Sequence, residues 1–286
     1  MPVKRYHPNT PGRRFASVIV REGSARARPF KRLLRSKIRG SGRNNQGKIT
    51  VRHRGGGAKR HYRVVDFIQE KYDIPARVVA VEYDPNRTAD IAHVVYRDGE
   101  HRYMLAPNGL KVGDAVLTSQ KQIPVRVGNR LRLEFIPSGI PVSNVELVPG
   151  QGGKIVRSAG ASATIMALDG DFAQLKIPSG EIRMIGKNCL ATVGEMSNGE
   201  WRNIRLGKAG RMRQYGIRPR VRGKAMNPVD HRHGGGEGNQ PIGLRRPVTP
   251  WGKPALGVRT RRRRKYSNRF IMKRRGSSQT WGQLSS

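Results

Sequence analysis

Residues 91–105 read IAHVVYRDGEHRYML, and this stretch is the clearest guide to the fold class. Two runs rich in β-branched and aromatic residues stand on either side of the pair Asp98-Gly99. Asp-Gly is a strong signal for a two-residue hairpin turn, in which both central residues need positive φ. The stretch therefore predicts two antiparallel strands joined by a tight turn.

Short runs of the same kind continue along the middle of the chain. They are VVAVEY from 78, DAVLTS from 114, RLRLEFI from 130, SNVELV from 143, GKIVRSA from 153, SATIMALDG from 162, FAQLKIP from 172, EIRMIG from 181 and CLATVGEM from 189. Their spacing is typical of small barrels or sandwiches. Because so many strands exceed the number in one small barrel, we predict an all-β core of two small β-barrels. The Pro- and Gly-rich segment PSGIPVSN, residues 137–144, is the predicted seam, which gives barrels at 64–136 and 137–200.

The charge is confined to the ends of the chain. The 57 Lys and Arg exceed the 19 Asp and Glu, for a net charge of +38. Residues 1–63 carry +18, residues 64–200 carry −1 and residues 201–286 carry +21. Gly and Pro also gather in the two basic segments, which lack long apolar runs. We therefore predict a basic N-terminal extension at 1–63 and a basic, Gly- and Arg-rich C-terminal extension at 201–286, with nucleic acid as the neutralising partner.

Such extensions bury too little apolar area to offset the cost of ordering their backbone. We expect them to be disordered alone or ordered by a partner. The single cysteine, Cys189, lies in the apolar stretch NCLATV and is interpreted as a small buried hydrophobe. No run approaches the ~20 apolar residues of a membrane helix, and the N-terminus lacks the apolar region of a signal peptide. A protein without membrane contact in a reducing compartment is expected.

The first candidate site is GKITVRHRGGGAKRHYR, residues 47–63. Three consecutive glycines let a backbone approach a surface closely, and the surrounding cations suit phosphate oxygens. We interpret it as a loop that presses its main-chain amides onto RNA phosphates. The alternative is a flexible, solvated linker. The predicted contact residues are Arg52, His53, Arg54, Gly55, Gly56, Gly57, Lys59, Arg60, His61 and Arg63.

The second candidate site is NPVDHRHGGGEG, residues 227–238, within the C-terminal extension. Asp230, His231, His233 and Glu237 are residue types that bind zinc or transfer protons, but no regular element places a third ligand. We favour a loop packed against RNA, and we expect no catalytic and no metal-binding residue. The predicted contacts in this extension are Arg218, Arg220, Arg222, Lys224, His231, Arg232, His233, Gly234, Gly235, Trp251 and Lys253. Trp251, between Pro250 and Gly252, could stack on a base or pack back onto the barrels.

Signatures of common enzymes are missing from the sequence. It contains no phosphate-binding GxxxxGK[ST], no dinucleotide GxGxxG after a strand, no HExxH and no GxSxG. We therefore predict that the chain is not an enzyme. Two rival functions remain open. One is a nonspecific nucleic-acid packaging protein, and the other is a metal-dependent hydrolase using His231 and His233.

Several strings in this order resemble one family, that of the universal second protein of the large ribosomal subunit, in its bacterial or plastid form. They are YHPNTPGRR, ITVRHRGGGAKRHYR, VEYDPNRTADIA, RGKAMNPVDHRHGGGEG and RPVTPWGKP, which span almost the whole chain. The resemblance implies an OB-fold-like barrel followed by an SH3-like barrel, with extensions that penetrate large-subunit (23S-type) rRNA. Two positions depart from the usual pattern: Ala58 stands where the family has histidine, and Arg232 where it has proline. The second change removes a fixed φ and adds a cation to the loop.

The resemblance also implies the partners and place of action. These are large-subunit rRNA, neighbouring ribosomal proteins and the small subunit across the interface, with support for subunit association and for the architecture around the peptidyl transferase centre. A structural constituent of the ribosome is expected, in the cytoplasm or alternatively in the plastid stroma, and not a homo-oligomer. No intrinsic cofactor is expected, and Mg²⁺ shared with the rRNA is left open.

Overall fold

The computed structural model describes residues 3–21, 28–38 and 40–275. The chain divides into two compact units. The barrel unit comprises Met1–Ile38, Lys59–Ala209 and Arg269–Ser286, and the basic unit comprises Arg39–Ala58 and Gly210–Asn268. No helix in the described residues is long and apolar enough to cross a membrane.

The barrel unit begins with two small antiparallel pairs. β1 (Val3–Arg5) pairs with β2 (Ser17–Ile19), and the short helix α1 (Pro11–Arg14) lies between them. β3 (Leu34–Ser36) pairs with β4 (His61–Arg63). A 3₁₀ turn at Lys31–Leu33 precedes β3. Proline begins α1 because its missing N–H has no partner at that position.

The first barrel is a four-stranded antiparallel sheet in the order β7-β6-β5-β8. Its strands are β5 (Ala76–Glu82), β6 (Ile91–Tyr96), β7 (His101–Leu105) and β8 (Ala115–Val116). Val78, Val94 and Val116 belong to its buried core. A register shift between Val78 and Ala80 lets the sheet curl, since a bulge increases local twist.

The second barrel is a seven-stranded sheet in the order β15-β13-β12-β11-β10-β14-β9. Its strands are β9 (Arg130–Arg132), β10 (Pro141–Ser143), β11 (Ala163–Asp169), β12 (Phe172–Lys176), β13 (Ile182–Gly186), β14 (Leu190–Val193) and β15 (Ile271–Lys273). Leu131, Ile165, Leu175 and Cys189 lie in its core. The predicted all-β fold with two barrel-like sheets is therefore confirmed.

The hairpin at 91–105 forms as predicted, but its turn differs. Tyr96 N–H donates to Glu100 O and Gly99 N–H donates to Tyr96 O, each at 2.9 Å, which encloses three residues. Only Gly99 has positive φ, at 82°; Asp98 is not among the residues of positive φ. A three-residue loop with glycine in the left-handed position is the next most common hairpin connection. The prediction of a two-residue turn from Asp98-Gly99 is therefore wrong, because the loop contains three residues.

Two strands of the second sheet lie where the sequence indicated other structure. β10 falls inside the segment 137–144, the predicted seam, and pairs with β14. β9 precedes that segment and pairs with the other edge of β14. Proline is tolerated as the first residue of a strand, which accounts for Pro141. β15 comes from the basic C-terminal extension and pairs with β13. The domain limits drawn from the sequence stay predictions.

A third buried cluster joins the two barrels within the barrel unit. Met196, which follows β14, packs with Ile91, Tyr103 and Leu105 of the first sheet. Backbone bonds reinforce the junction, including Asn108 N–H to Glu195 O at 2.7 Å.

A buried ion pair connects β9 to the segment that follows β10 in the second barrel. Arg130 and Glu146 are both fully buried and lie 3.0 Å apart. The Glu146 carboxylate also accepts the N–H groups of Gly150, Gly152 and Leu190. Such a pair needs this surrounding set of donors, because a buried charge left unpaired is very costly.

The basic unit contains little regular structure. The helix α2 (Ala209–Gln214) lies at the start of the segment Gly210–Asn268, and a 3₁₀ turn follows at Gly223–Ala225. Isolated bridges join Arg43 to Ile49 and Val248 to Pro254. Among the described residues of this unit no hydrophobic side chain is buried, and Val229 is 92% exposed. Turn and loop hydrogen bonds, rather than an apolar core, therefore hold it.

Candidate nucleic-acid interface

The glycine-rich loop of the first candidate site pairs with residues 214–218 of the same unit. Arg54 forms an antiparallel bridge with Ile217. The flanking backbone bonds, each at 3.0 Å, run from Gly55 N–H to Gly216 O, from Ala58 N–H to Gln214 O and from Arg218 N–H to His53 O. The loop is therefore a structured part of the basic unit and differs from the flexible-linker alternative.

Gly57 is needed for this packing. A Cβ on Gly57 would lie 2.9 Å from Gly216 N and 3.0 Å from Gln214 O, and the φ of Gly57 is +89°. The N–H groups of Gly55 and Ala58 already donate to carbonyl oxygens. The interpretation that the loop applies its amides to phosphate therefore does not hold for these two groups. Gly57 instead allows a close approach of two backbone segments, and Gly55 and Gly56 supply positive φ angles of 138° and 66°.

Arg52, Arg54 and Trp251 present exposed side chains in the basic unit. The Arg52 guanidinium carbon lies 5.7 Å from the centroid of the Trp251 ring, within the range of a cation–π contact. Trp251 is 74% exposed. The ring is therefore exposed, and its stacking on a base or ribose stays a prediction.

A tight turn presents Trp251. Gly252 N–H donates to Thr249 O at 2.9 Å, with Pro250 in the second turn position and Gly252 at a φ of +77°. Thr249 N–H donates to Lys253 O at 2.6 Å, and Lys253 N–H donates to the Thr249 hydroxyl at 3.2 Å. Proline and glycine each fit the backbone angles of their positions. The sequence TPWGK therefore holds an aromatic ring in solvent on a rigid turn.

The end of the first candidate site, residues 59–63, belongs to the barrel unit. Lys59 and His61 are exposed. Arg60 donates to Pro85 O at 2.8 Å, and Arg63 lies 3.8 Å from the buried carboxylate of Asp84. Arg60 and Arg63 thus have protein partners, which sequence reasoning missed because Pro85 and Asp84 lie more than twenty residues away.

Both histidines of the second candidate site use one ring nitrogen inside the protein. His233 N–H donates to His231 Nδ1 at 3.0 Å, and Val248 N–H donates to His233 Nε2 at 3.1 Å. The two rings lie 4.6 Å apart between centroids. His231 Nδ1 and His233 Nε2 therefore act as acceptors, and the hydrogen of each neutral ring belongs on its other nitrogen. His231 is 9% exposed and acts as a brace for the loop.

Close backbone contacts surround the His231 ring. A Cβ on Gly223 would lie 2.6 Å from its Cε1 atom, and a Cβ on Gly234 would lie 2.2 Å from Asn227 O. His231 N–H donates to Asn227 O at 3.3 Å, and Gly234 N–H donates to His231 O at 2.8 Å. These bonds fix the backbone on both sides of Arg232, where the resemblance has a proline.

The remaining predicted cations differ in their surroundings. Arg218, Arg220, Arg222, Arg232 and Lys253 are exposed. Lys224 Nζ donates to Asn239 O at 3.4 Å and to Gln240 O at 3.3 Å. Gly235 N–H donates to Met226 O at 3.0 Å, inside the loop. The exposed arginines are accessible to solvent, and their contact with a polyanion stays a prediction.

Sequence reasoning missed Gln240, which braces the second loop. Its side-chain amide donates to Lys224 O at 3.3 Å and to Gly235 O at 3.0 Å. No local pattern marks a glutamine for such a role.

The acidic residues of the second candidate site and the single cysteine are the remaining side chains that could act as metal ligands or nucleophiles. Asp230 and Glu237 are exposed, and no group of three or more potential metal ligands occurs in the described ranges. Cys189 is fully buried, and burial raises the pKa of its thiol to about 12. The thiol therefore stays protonated near neutral pH, in agreement with the interpretation of Cys189 as a buried hydrophobe.

Two family models match the chain in the order of its barrels. Residues 30–118 match the model described as Ribosomal Proteins L2, RNA binding N-terminal domain, and residues 126–252 match Ribosomal Proteins L2, C-terminal domain. The matches take in both candidate sites and about three quarters of the 286 residues. The chain therefore belongs to the ribosomal protein L2 family and is a large-subunit ribosomal protein with an RNA-binding domain.

Proposed function

We propose that this chain binds large-subunit (23S-type) rRNA directly and acts as a structural constituent without a catalytic step of its own. The observation that carries the proposal is the composition of the basic unit. Its two segments contain 21 Lys and Arg against 2 acidic residues, and none of its described hydrophobic side chains is buried. A unit with this charge and no apolar core is stabilised by a polyanion that neutralises it.

The chemistry of binding follows from the exposed groups. Arg218, Arg220 and Arg222 suit phosphate oxygens, since a guanidinium offers paired donors. Trp251, with Arg52 on its ring, suits stacking on an unpaired base or a ribose. A-form helices hide most base edges, so recognition proceeds through phosphates, 2′-hydroxyls and shape. Gly223 and His231 brace the loop at 227–238, which carries the exposed Arg232.

The finer assignments rest on the family. We propose that the loop at 227–238 supports the architecture around the peptidyl transferase centre and that the chain supports subunit association. Neighbouring ribosomal proteins and the small subunit are the proposed further partners. The proposed place of action is the cytoplasmic ribosome, with the plastid stroma as the alternative. We propose no intrinsic cofactor; any Mg²⁺ would be shared with the rRNA.

Two matched triple variants test the proposal. One replaces Arg218, Arg220 and Arg222 with glutamine. The other replaces three exposed lysines of the barrel unit with glutamine, namely Lys121, Lys154 and Lys176. Both lose three charges. If the basic unit contacts phosphates, the arginine variant alone reduces the slope of log affinity against log salt, by about one for each lost contact. Equal slopes for both variants would refute a localised RNA interface.

A further inference from the structure

A basic hollow lies beside the N-terminal hairpin of the barrel unit, outside every site described so far. Its volume is about 460 Å³. The lining comes from β1, α1 and β2 on one side, and on the other from the 3₁₀ turn Gly199–Asn203 and from Arg205, which follows it. The lining residues are Val3, Arg5, Arg14, Phe15, Ala16, Ser17, Glu200, Asn203 and Arg205.

Backbone contacts fix the two sides of the hollow to each other. Ser17 N–H donates to Arg205 O at 2.9 Å, and Arg205 N–H donates to the Ser17 hydroxyl at 2.8 Å. Gly207 crosses so close to the α1 turn that a Cβ on it would lie 2.6 Å from Gly12 O and 2.8 Å from the Cβ of Ala16. The hollow is therefore held in shape, because neither side can move without breaking these contacts.

The chemistry of the lining suits a nucleotide. Phe15 is 62% exposed although it lies next to the fully structured α1 turn. An exposed aromatic ring is a platform on which an unstacked base can stack. Arg5, Arg14 and Arg205 are exposed and suit a phosphate. Glu200 and Asn203 bond to each other and could offer polar atoms to a base edge.

We propose that this hollow binds one unpaired nucleotide of the ribosomal RNA, with the base on the Phe15 ring and the phosphate on the three arginines. The inference rests on the proposed function and adds a site to it. The volume falls in the range of small-ligand sites. Three guanidinium groups against one carboxylate favour an anionic nucleotide over a segment of another basic ribosomal protein.

The chain offers a matched pair of variants for the test. Arg14→Gln removes a charge from the lining, whereas Arg13→Gln removes a charge from the preceding residue, whose guanidinium lies over the Tyr6 ring instead. Phe15→Ala removes the stacking platform and leaves the charge unchanged. Because Phe15 is largely exposed, its loss should leave the fold intact, which thermal unfolding followed by circular dichroism checks.

The measurement is affinity for purified large-subunit rRNA, together with chemical probing of the bound RNA. Phe15→Ala should weaken binding by about 5- to 150-fold, in the range of a lost base–aromatic stack. Arg14→Gln should weaken binding more than Arg13→Gln. One nucleotide that the wild type protects should become reactive with Phe15→Ala, while the other protected nucleotides stay protected.

The outcomes separate this inference from the proposed function. If the wild type protects rRNA but Phe15→Ala and Arg14→Gln match Arg13→Gln in affinity and protection, the hollow binds no nucleotide and the proposed function stands. If the wild type itself fails to prefer rRNA over duplex DNA, the proposed function fails and the inference with it. A photo-reactive phenylalanine at position 15 that cross-links to a protein in assembled subunits would also overturn the inference.

Discussion

His231 and His233 show how far residue types alone can predict a site. Their sequence context marked them as special, and both lie in a closely packed loop. Their roles could not be predicted, because the group that bonds to His233 is the Val248 amide, fifteen residues away. The ring of His231 is also packed against Gly223, a contact that no local pattern indicates. The residue types therefore indicated that this loop is special, whereas the hydrogen bonds and packing of the two rings depend on contacts that only the fold shows.

Gly223→Ala is expected to loosen the His231 loop without removing any polar group. Its Cβ would fall 2.6 Å from the His231 ring, so the ring or the loop must shift. Amide hydrogen exchange at His233, Gly234 and Gly235 should become faster. Gly210→Ala is the matched control, since a Cβ there meets nothing within 4 Å. Unchanged exchange in Gly223→Ala would contradict the bracing role of the ring.

His93 in β6 gives the barrel unit a pH dependence. Burial lowers the pKa of His93 below its ordinary 6.5, and His101, 3.0 Å away, lowers it further. The unfolded chain therefore binds the proton more readily, so His93 stabilises the fold above pH 6.5 and loses this contribution as the pH falls toward its folded pKa. Burial raises the pKa of Glu82 and of Asp90, so the contribution of these two groups to the stability of the fold decreases as the pH rises.

A His93→Gln variant isolates the histidine contribution. Urea unfolding at about pH 7 and about pH 5 should show a larger loss of unfolding free energy for the wild type than for the variant. An equal loss in both proteins would mean that His93 keeps its ordinary pKa in the fold.

Strands were predictable from sequence where their own residues alternate, and unpredictable where a neighbour determines them. β5, β6, β7 and β11 follow β-branched and apolar runs that mark them directly. β10 starts with proline in a segment rich in turn residues, yet it is hydrogen-bonded on both edges by β11 and β14. β15 lies among cations and forms only because the edge of β13 is available. Such strands depend on partners distant in the sequence.

Ile271→Ala is expected to destabilise the second barrel, although residue 271 lies in the basic C-terminal segment. Ile271 is 3% exposed and pairs with Arg183. Truncating a buried isoleucine to alanine typically costs about 2–5 kcal/mol. Met272→Ala, at a half-buried position of the same strand, should cost less. Urea unfolding that is identical for both variants and the wild type would show that β15 does not belong to the folded sheet.

Across the chain as a whole, charge and core are separated. Segment 64–200 carries −1 and supplies almost all of the buried apolar residues, whereas the flanking segments carry +18 and +21. The sequence predicted this separation because charge counts need no knowledge of contacts. It did not predict that residues 39–58 and 210–268 group into one unit, because that grouping depends on backbone bonds between segments more than 150 residues apart.

We propose that the basic charge of this protein serves recognition of large-subunit rRNA. The most direct test is a salt titration of binding to that RNA beside duplex DNA of equal length. Affinity should fall steeply with salt for both, because each neutralised phosphate releases counterions. A preference for the rRNA should survive at high salt, where shape and stacking contacts remain. An equal collapse of affinity for both ligands would contradict it and indicate a nonspecific nucleic-acid packaging protein.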